Sequence, residues 1–429
     1  MFENRLAIYF FRIIRKINIL EYSKVSFLFD IKMKYLSVKK LRINILLLYL
    51  QNHYLNIVML TKFKVSNFKC FEGEVVFDLS STNGYTFNSE CIKDGIVNNA
   101  MIYGYNGSGK SNLGWAIFDI IEHLTDKTRL EFPYKHYTNA FSDSNVASFT
   151  YEFLIDKKKI RYEYKKSDYK TIVSEILWID DILMVSYDRQ KDESFTTKFR
   201  GAENLKGFIF DTQLSVLKYI KNNTVLEDNA ENRAFRDFFV FVEQMLFFRS
   251  LEDRSYIGQD VKTVSLAADI IRKNKVRDFE KFLNDANVKC KLAVVDVMDE
   301  KEIAFDFGRK KILFHDIKST GTSALMLFYC WYLQIQESEI SFVFIDEFDA
   351  FYHHELSKLI INKLKETGVQ FVVTTHNTSI MSNDLMRPDC YFLMNNTRIS
   401  PLSKCTEKEL REAHNIEKIY KAGAFYVGE

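Results

Sequence analysis

The sequence predicts an α/β fold in which a parallel or mixed sheet flanked by helices is joined to an antiparallel β lobe and a helical insert. Three observations predict it. A short apolar segment, NNAMIYGY, runs through a glycine-rich turn into helical spacing over Asn112–His123. Residues 147–200 alternate apolar and polar side chains in one run after another, the period-2 pattern of half-buried antiparallel strands. In the last third, continuous apolar runs (ISFVFIDEFDAF, VQFVVTTH) alternate with helical spacing, which implies strands buried on both faces and paired in parallel.

The other elements follow in order. MLTKFKVSNFKCFEGEVVFDLS, from Met59, reads as a β-hairpin or two adjacent strands. The alternating runs SFTYEFLID, KIRYEYKK, SEILWIDDILMVSYD and FTTKFR supply the antiparallel lobe. Residues 204–283 carry mainly helical spacing, including RAFRDFFVFVEQMLFF, read as helix through Phe248. Strands resume at KLAVVDVMD, EIAFDFG and KILFHDI. The polar turn KSTGTS then precedes a helix over Ala324–Gln336. ELSKLIINKLKET is helical between the two buried strands, and CYFLM is a final strand.

With 429 residues, 47% of them apolar and 15% aromatic, the chain can bury a large core in more than one lobe. The net charge of +2 divides unevenly: residues 1–58 hold ten Lys/Arg against three Asp/Glu, or +7, which leaves 2 − 7 = −5 for residues 59–429. The body therefore lacks the general basic character that suggests nucleic acid, with a local exception at Lys157-Lys158-Lys159 and Lys165-Lys166. Six cysteines are scattered without metal-ligand spacing, the pattern of reduced thiols in a cytoplasmic protein. No apolar run approaches the roughly 20 residues that cross a bilayer. The first 58 residues lack capping and turn signals. An interfacial basic helix around YFFRIIRKINIL and a signal sequence without a cleavage site are two readings of them; the preferred one starts the protein at Met59 and treats the upstream residues as an extension of the gene model.

Gly104-Tyr105-Asn106-Gly107-Ser108-Gly109-Lys110-Ser111 fits G-x-x-x-x-G-K-[ST], between a strand and the helix that begins near Asn112. The glycines let successive backbone N–H groups turn inward around a phosphate, the helix N-terminus adds positive potential, and Lys110 adds a full charge. Ser111 would hold Mg²⁺. A loop that needed only glycines would have no use for the Lys-Ser pair. The motif requires an acid to complete the metal site, and Asp346 stands at the end of an apolar strand, with Glu347 beside it in position to polarise water for attack on the γ-phosphate of ATP. His376 ends another apolar strand, on the side where α/β sheets bind ligands, and reads as a γ-phosphate contact.

From Met59 to Phe425 these residues resemble the ABC-like P-loop ATPases that include SMC, Rad50, RecF and the overcoming-lysogenization-defect proteins. Asn67-Phe68-Lys69-Cys70-Phe71 is similar to the strand that opens that domain, which implies that Lys69 lies near the nucleotide. FIDEFDAFYHHEL resembles the Walker B segment and D-loop, and TTHNTSIM the switch-histidine segment. KSTGTS, some 25 residues ahead of Asp346, stands where the signature motif would cap the γ-phosphate from the opposite protomer through Ser319 and Gly321. No glutamine occurs between Asn112 and Arg189, so no Q-loop can be assigned.

The resemblance implies an ABC-type ATPase head split into residues 59–200 (β lobe and P-loop) and 286–429 (signature, Walker B and switch histidine), with the helical insert over 201–285. It also implies ATP and Mg²⁺ as cofactors and a homo-oligomer with composite sites. The compact bacterial ATPases of anti-phage and abortive-infection modules are nearest in character, which implies a nuclease or toxin as partner, with nucleic acid not required and no membrane. A DNA-repair or DNA-end-binding ATPase of the RecF/Rad50 type is the alternative. Asp180, Asp181 and Asp188 are too separated for a metal-nuclease cluster.

Overall fold

The computed structural model describes residues 58–127, 135–192, 194–205, 211–249, 256–257, 265–298, 300–337 and 340–426. The readings made for the first 58 residues fall outside them, save Val58. The chain opens with strands β1 (Val58–Ser66) and β2 (Val75–Asp78) and a short ribbon, β3 (Ile92–Lys93) and β4 (Ile96–Val97). Strand β5 (Asn99–Tyr103) leads through the glycine turn into helices α1 (Lys110–Ile117) and α2 (Ile120–Leu124). Then come β6 (Ala147–Ile155), β7 (Lys158–Lys166), β8 (Ile172–Ile179), β9 (Ile182–Asp188) and β10 (Thr196–Thr197). Helices α3 (Val216–Asn223) and α4 (Ala230–Glu243) precede β11 (Met245–Arg249) and β12 (Tyr256–Ile257), which are followed by α5 (Leu266–Arg272) and α6 (Val276–Asp285). A meander of β13 (Leu292–Val297), β14 (Glu300–Asp306) and β15 (Lys311–Leu313) leads to α7 (Phe314–Ile317) and α8 (Thr320–Glu337). The last stretch holds β16 (Phe342–Asp346), α9 (His354–Thr367), β17 (Gln370–Thr375), β18 (Tyr391–Met394), β19 (Ile399–Pro401) and α10 (Ile416–Lys421).

Two seven-stranded sheets carry the architecture. The antiparallel one has the order β10-β9-β8-β7-β6-β1-β2. Its residues alternate between buried and more exposed along β6, as period-2 patterning demands of a sheet covered on one face. The other has the order β12-β11-β16-β17-β5-β18-β19, with its five inner strands parallel. Strands β5, β16, β17 and β18 are buried at every position, which is why they read as unbroken apolar runs.

Helix α1 lies between the two sheets. On one side Gly114 lets it approach the parallel sheet: a Cβ there would stand 2.8 Å from Phe247 Cζ and 2.9 Å from Phe344 Cε1. On the other side the Tyr151 hydroxyl of β6 donates to the Ala116 carbonyl at 2.9 Å. A direct stitch joins the sheets at Gln370, whose buried amide accepts from Leu60 N and donates to the carbonyls of Leu60 and Val97 at 2.9–3.0 Å.

Three expectations are corrected. The helical run read through Phe248 ends at Glu243, and Met245–Arg249 is instead strand β11, paired in parallel with β16. An apolar run buried on both faces satisfies helical and strand spacing alike, so periodicity alone could not separate them. The helix expected over Asn112–His123 begins at Lys110 and is interrupted after Ile117. The interruption sits at Asp119, whose buried carboxylate accepts from the Tyr164 hydroxyl at 2.9 Å and the Lys166 ammonium at 2.8 Å, both on β7. The turn KSTGTS is largely helix, with Ser319 as its cap: Ser319 Oγ accepts from Thr322 N at 3.1 Å.

Candidate nucleotide site

Because β5, β11, β16 and β17 run parallel, their carboxyl ends lie along one edge of the sheet. The register pairs Tyr103 with Thr375 and Arg249 with Asp346. The glycine turn, the acidic pair and His376 therefore emerge side by side, on strands about 4.8 Å apart.

The turn from Gly104 to Ser111 passes directly into α1, with Gly109 at the helix N-cap. Gly109 has φ 93°, and a Cβ would meet Phe71 Cε1 at 2.8 Å and Cys70 Sγ at 2.9 Å, so no other residue fits there. The turn between β1 and β2, where the structure places Asn67–Phe71 instead of on the opening strand, thus packs against the glycine turn, and Asn112 Nδ2 donates to Cys70 Sγ at 3.0 Å. Lys110 is 5% exposed; its ammonium donates to the carbonyls of Gly104 at 2.8 Å and Tyr105 at 3.2 Å. Burial pushes that ammonium down, and the carboxylates of Asp346 and Glu347 push it back up. Ser108 Oγ is buried with no hydrogen-bond partner among the described residues, and Tyr105 projects 84% exposed.

Strand β17 organises the acids through two threonines. Thr374 Oγ1 donates to Asp346 Oδ1 at 2.7 Å and accepts from Glu347 N at 2.8 Å. Glu347 has φ 48°, a left-handed conformation that turns the chain sharply after the strand. His376 Nε2 lies 3.6 Å from Glu347 Oε1. Thr375 Oγ1 donates to Asp349 Oδ2 at 2.8 Å; burial pushes the Asp349 carboxyl up, opposed by that hydrogen bond.

Lys69 sits in the turn between β1 and β2 with φ 50°. Burial pushes its ammonium down, and Arg249 adds to the effect. Ser319 is exposed and Gly321 half-buried at the start of α8, where a Cβ on Gly321 would lie 3.8 Å from the Phe351 carbonyl. Ser319 hydrogen-bonds with Thr322 and Ser323, and among the described residues no hydrogen bond joins it to the Gly104–Ser111 turn.

The donor set suits Mg²⁺ with a polyphosphate. One carboxylate, Asp346, and one hydroxyl, Ser111, leave coordination positions for phosphate oxygens and water. The buried Lys110 and the unpartnered Ser108 Oγ line a cradle built for an anion.

Sequence reading assigned no role to Thr374, Thr375 and Asp349, although they stand inside the TTHNTSIM and FIDEFDAFYHHEL segments, and it missed Arg249, which belongs to neither. Of the basic patch read at Lys157–Lys159 and Lys165–Lys166, Lys157, Lys159 and Lys165 are exposed and two lysines are withdrawn. Lys166 is fully buried against Asp119, and Lys158 is engaged by Asp180 at 2.9 Å and Glu231 at 3.2 Å. Alternation along β7 turns Lys165 outward and Lys166 inward.

A strand–glycine turn–helix unit, with a carboxylate pair and a histidine on neighbouring parallel strand ends, defines an ABC-like P-loop ATPase. Residues 100–382 match the family described as "AAA domain, putative AbiEii toxin, Type IV TA system", and the chain belongs to that family. No curated protein matches it. Among solved structures, the SMC head domain from Thermotoga maritima is 15% identical, covering 80% of this chain and 98% of that one with a TM-score of 0.39. The SMC head bound to the C-winged helix domain of ScpA is also 15% identical, covering 80% and 98% with a TM-score of 0.41. The Smc head with an extended coiled coil, bound to the C-terminal domain of ScpA derived from Pyrococcus furiosus, is 13% identical, covering 81% and 98% with a TM-score of 0.42. At these TM-scores the likenesses bear on neither function nor partner. No helix among the described residues is long and apolar enough to cross a membrane.

Proposed function

We propose that the chain is an ATP-dependent conformational switch that hydrolyses ATP to ADP and phosphate. The observation that carries this reading is the convergence of the Gly104–Ser111 cradle, the Asp346–Glu347 pair and His376 at one sheet edge. The backbone N–H groups of the turn and the Lys110 ammonium bind the phosphates, with Asn112 at the start of α1 and Lys69 flanking them. Ser111 and Asp346 hold Mg²⁺. Bound Mg²⁺·ATP supplies a γ-phosphoryl group whose charge is neutralised for in-line attack. Glu347 accepts the proton of the attacking water as general base, and His376, within reach of the same carboxylate, fixes its orientation and contacts the γ-phosphate.

The exposed Ser319 and Gly321 at the head of α8 complete the site of a second protomer, so that two chains close on two nucleotides. The opening of this clamp moves a partner. A toxin–antitoxin system in the family's description supports a cytoplasmic ATPase subunit of an anti-phage defence system that controls a nuclease or toxin. The head then comprises residues 59–200 and 286–429, and the insert between them also supplies strand β11. For the DNA-binding alternative, the burial of Lys166 and the pairing of Lys158 leave Lys157, Lys159 and Lys165 as the exposed cations of that patch.

The test is Glu347→Gln, with Lys110→Ala as control. Glu347→Gln keeps nucleotide binding, loses turnover by about 10²-fold or more, and accumulates an ATP-bound oligomer in size-exclusion chromatography. Lys110→Ala loses nucleotide binding. Wild-type turnover in Glu347→Gln would refute the base assignment.

A further inference from the structure

Arg249 ends β11 directly beside Asp346 in the parallel register. Its Nε lies 3.9 Å from Asp346 Oδ2, with the two side chains 13% and 5% exposed. Its guanidinium stands 5.0 Å from the centre of the Trp115 ring, on the helix that follows the phosphate cradle. The other oxygen of Asp346 accepts from Thr374, so Arg249 faces the oxygen that Thr374 does not bond.

A guanidinium stays charged at any accessible pH and cannot shed its proton to relieve crowding. A divalent cation on Asp346 would meet it at close range, in surroundings where water screens little. Two positive groups therefore contend for one carboxylate.

We propose that Arg249 is a positioning residue that holds Asp346 in the cation-free protein and must release it before a divalent cation can bind. Cation occupancy is then set by competition between the two. Trp115 gives the released guanidinium a surface to rest on and links the exchange to α1 and hence to the phosphate cradle. The inference rests on the reading of Asp346 as the cation ligand.

The test is Mn²⁺ binding, read from the electron paramagnetic resonance of free Mn²⁺, with and without a non-hydrolysable ATP analogue. Removing the competitor in Arg249→Gln tightens Mn²⁺ binding by about fivefold or more, the scale of a typical coupling between sites. A misfolded protein does not gain affinity, so the gain cannot come from general damage. Arg249→Lys keeps the charge but loses the planar fork, and gives a smaller gain in the same direction; it carries the test if the glutamine variant does not fold. Unchanged or weaker Mn²⁺ binding in whichever variant folds overturns the competition. Mn²⁺ binding that survives Asp346→Asn unaltered overturns the cation site itself, and with it this inference.

Discussion

Thr374→Val removes one hydroxyl and almost no volume, yet that hydroxyl bonds to both acids. Thr374 is fully buried, donating to Asp346 Oδ1 at 2.7 Å and accepting from Glu347 N at 2.8 Å. Valine leaves one carboxylate oxygen and one N–H without these partners, at about 1–3 kcal/mol each, so about 2–6 kcal/mol together. Unfolding entropy near 2.1 cal/mol/K per residue gives about 0.8 kcal/mol/K for a body of about 370 residues, so Tm falls by roughly 3–8 °C. The effect on catalysis is separate. Glu347 holds φ 48° beside an anchored N–H, and losing the anchor frees its carboxylate from the direction of the γ-phosphate. Turnover is expected to fall by at least tenfold while nucleotide binding, measured with a fluorescent ATP analogue, changes little, since no atom of the cradle is touched. Thr374→Ser, which keeps the hydroxyl, retains most activity. A Thr374→Val protein with wild-type turnover and wild-type Tm would refute the view that β17 aligns the acids.

Three other expectations follow from the same geometry. Ser319→Arg lowers turnover and its dependence on protein concentration, without weakening nucleotide binding, and loses about 1 kcal/mol through the helix cap; unchanged turnover removes Ser319 from the composite site. Lys166→Met strands the Asp119 charge in a site where both partners are 0% exposed, at about 3–5 kcal/mol. Paired with Asp119→Leu it recovers much of that loss, and a double variant no more stable than the single one would argue against an uncompensated charge as the cause. Binding to duplex DNA, followed against salt, shows no steep slope; a steep one would restore the DNA-binding alternative.

The phosphate cradle was legible because it is local. Eight contiguous residues carry the whole motif, and only the strand before and the helix after are needed to place it. The acids and the histidine were legible for a related reason: each follows directly on a buried parallel strand, and such strands announce themselves as unbroken apolar runs. The antiparallel lobe was equally plain, since alternation along β6 and β7 is a property of each strand by itself.

The same signals failed where an element is apolar on both faces or where a charge is answered by a distant partner. Strand β11 reads as the end of a helix because nothing in EQMLFFR distinguishes the two, and its pairing partner β16 lies almost a hundred residues away. Lys166 reads as surface charge because its partner, Asp119, lies 47 residues earlier in the sequence. Local sequence thus determined the groups on offer: a glycine turn with its lysine, a carboxylate pair and a histidine, each at the end of a buried strand. Tertiary structure alone decided what holds and opposes these groups, with Thr374 gripping Asp346 from one neighbouring strand and Arg249 approaching it from the other. The reason is that parallel pairing joins strand ends through crossovers of any length, so residues that meet across the sheet edge leave no spacing in the chain to read.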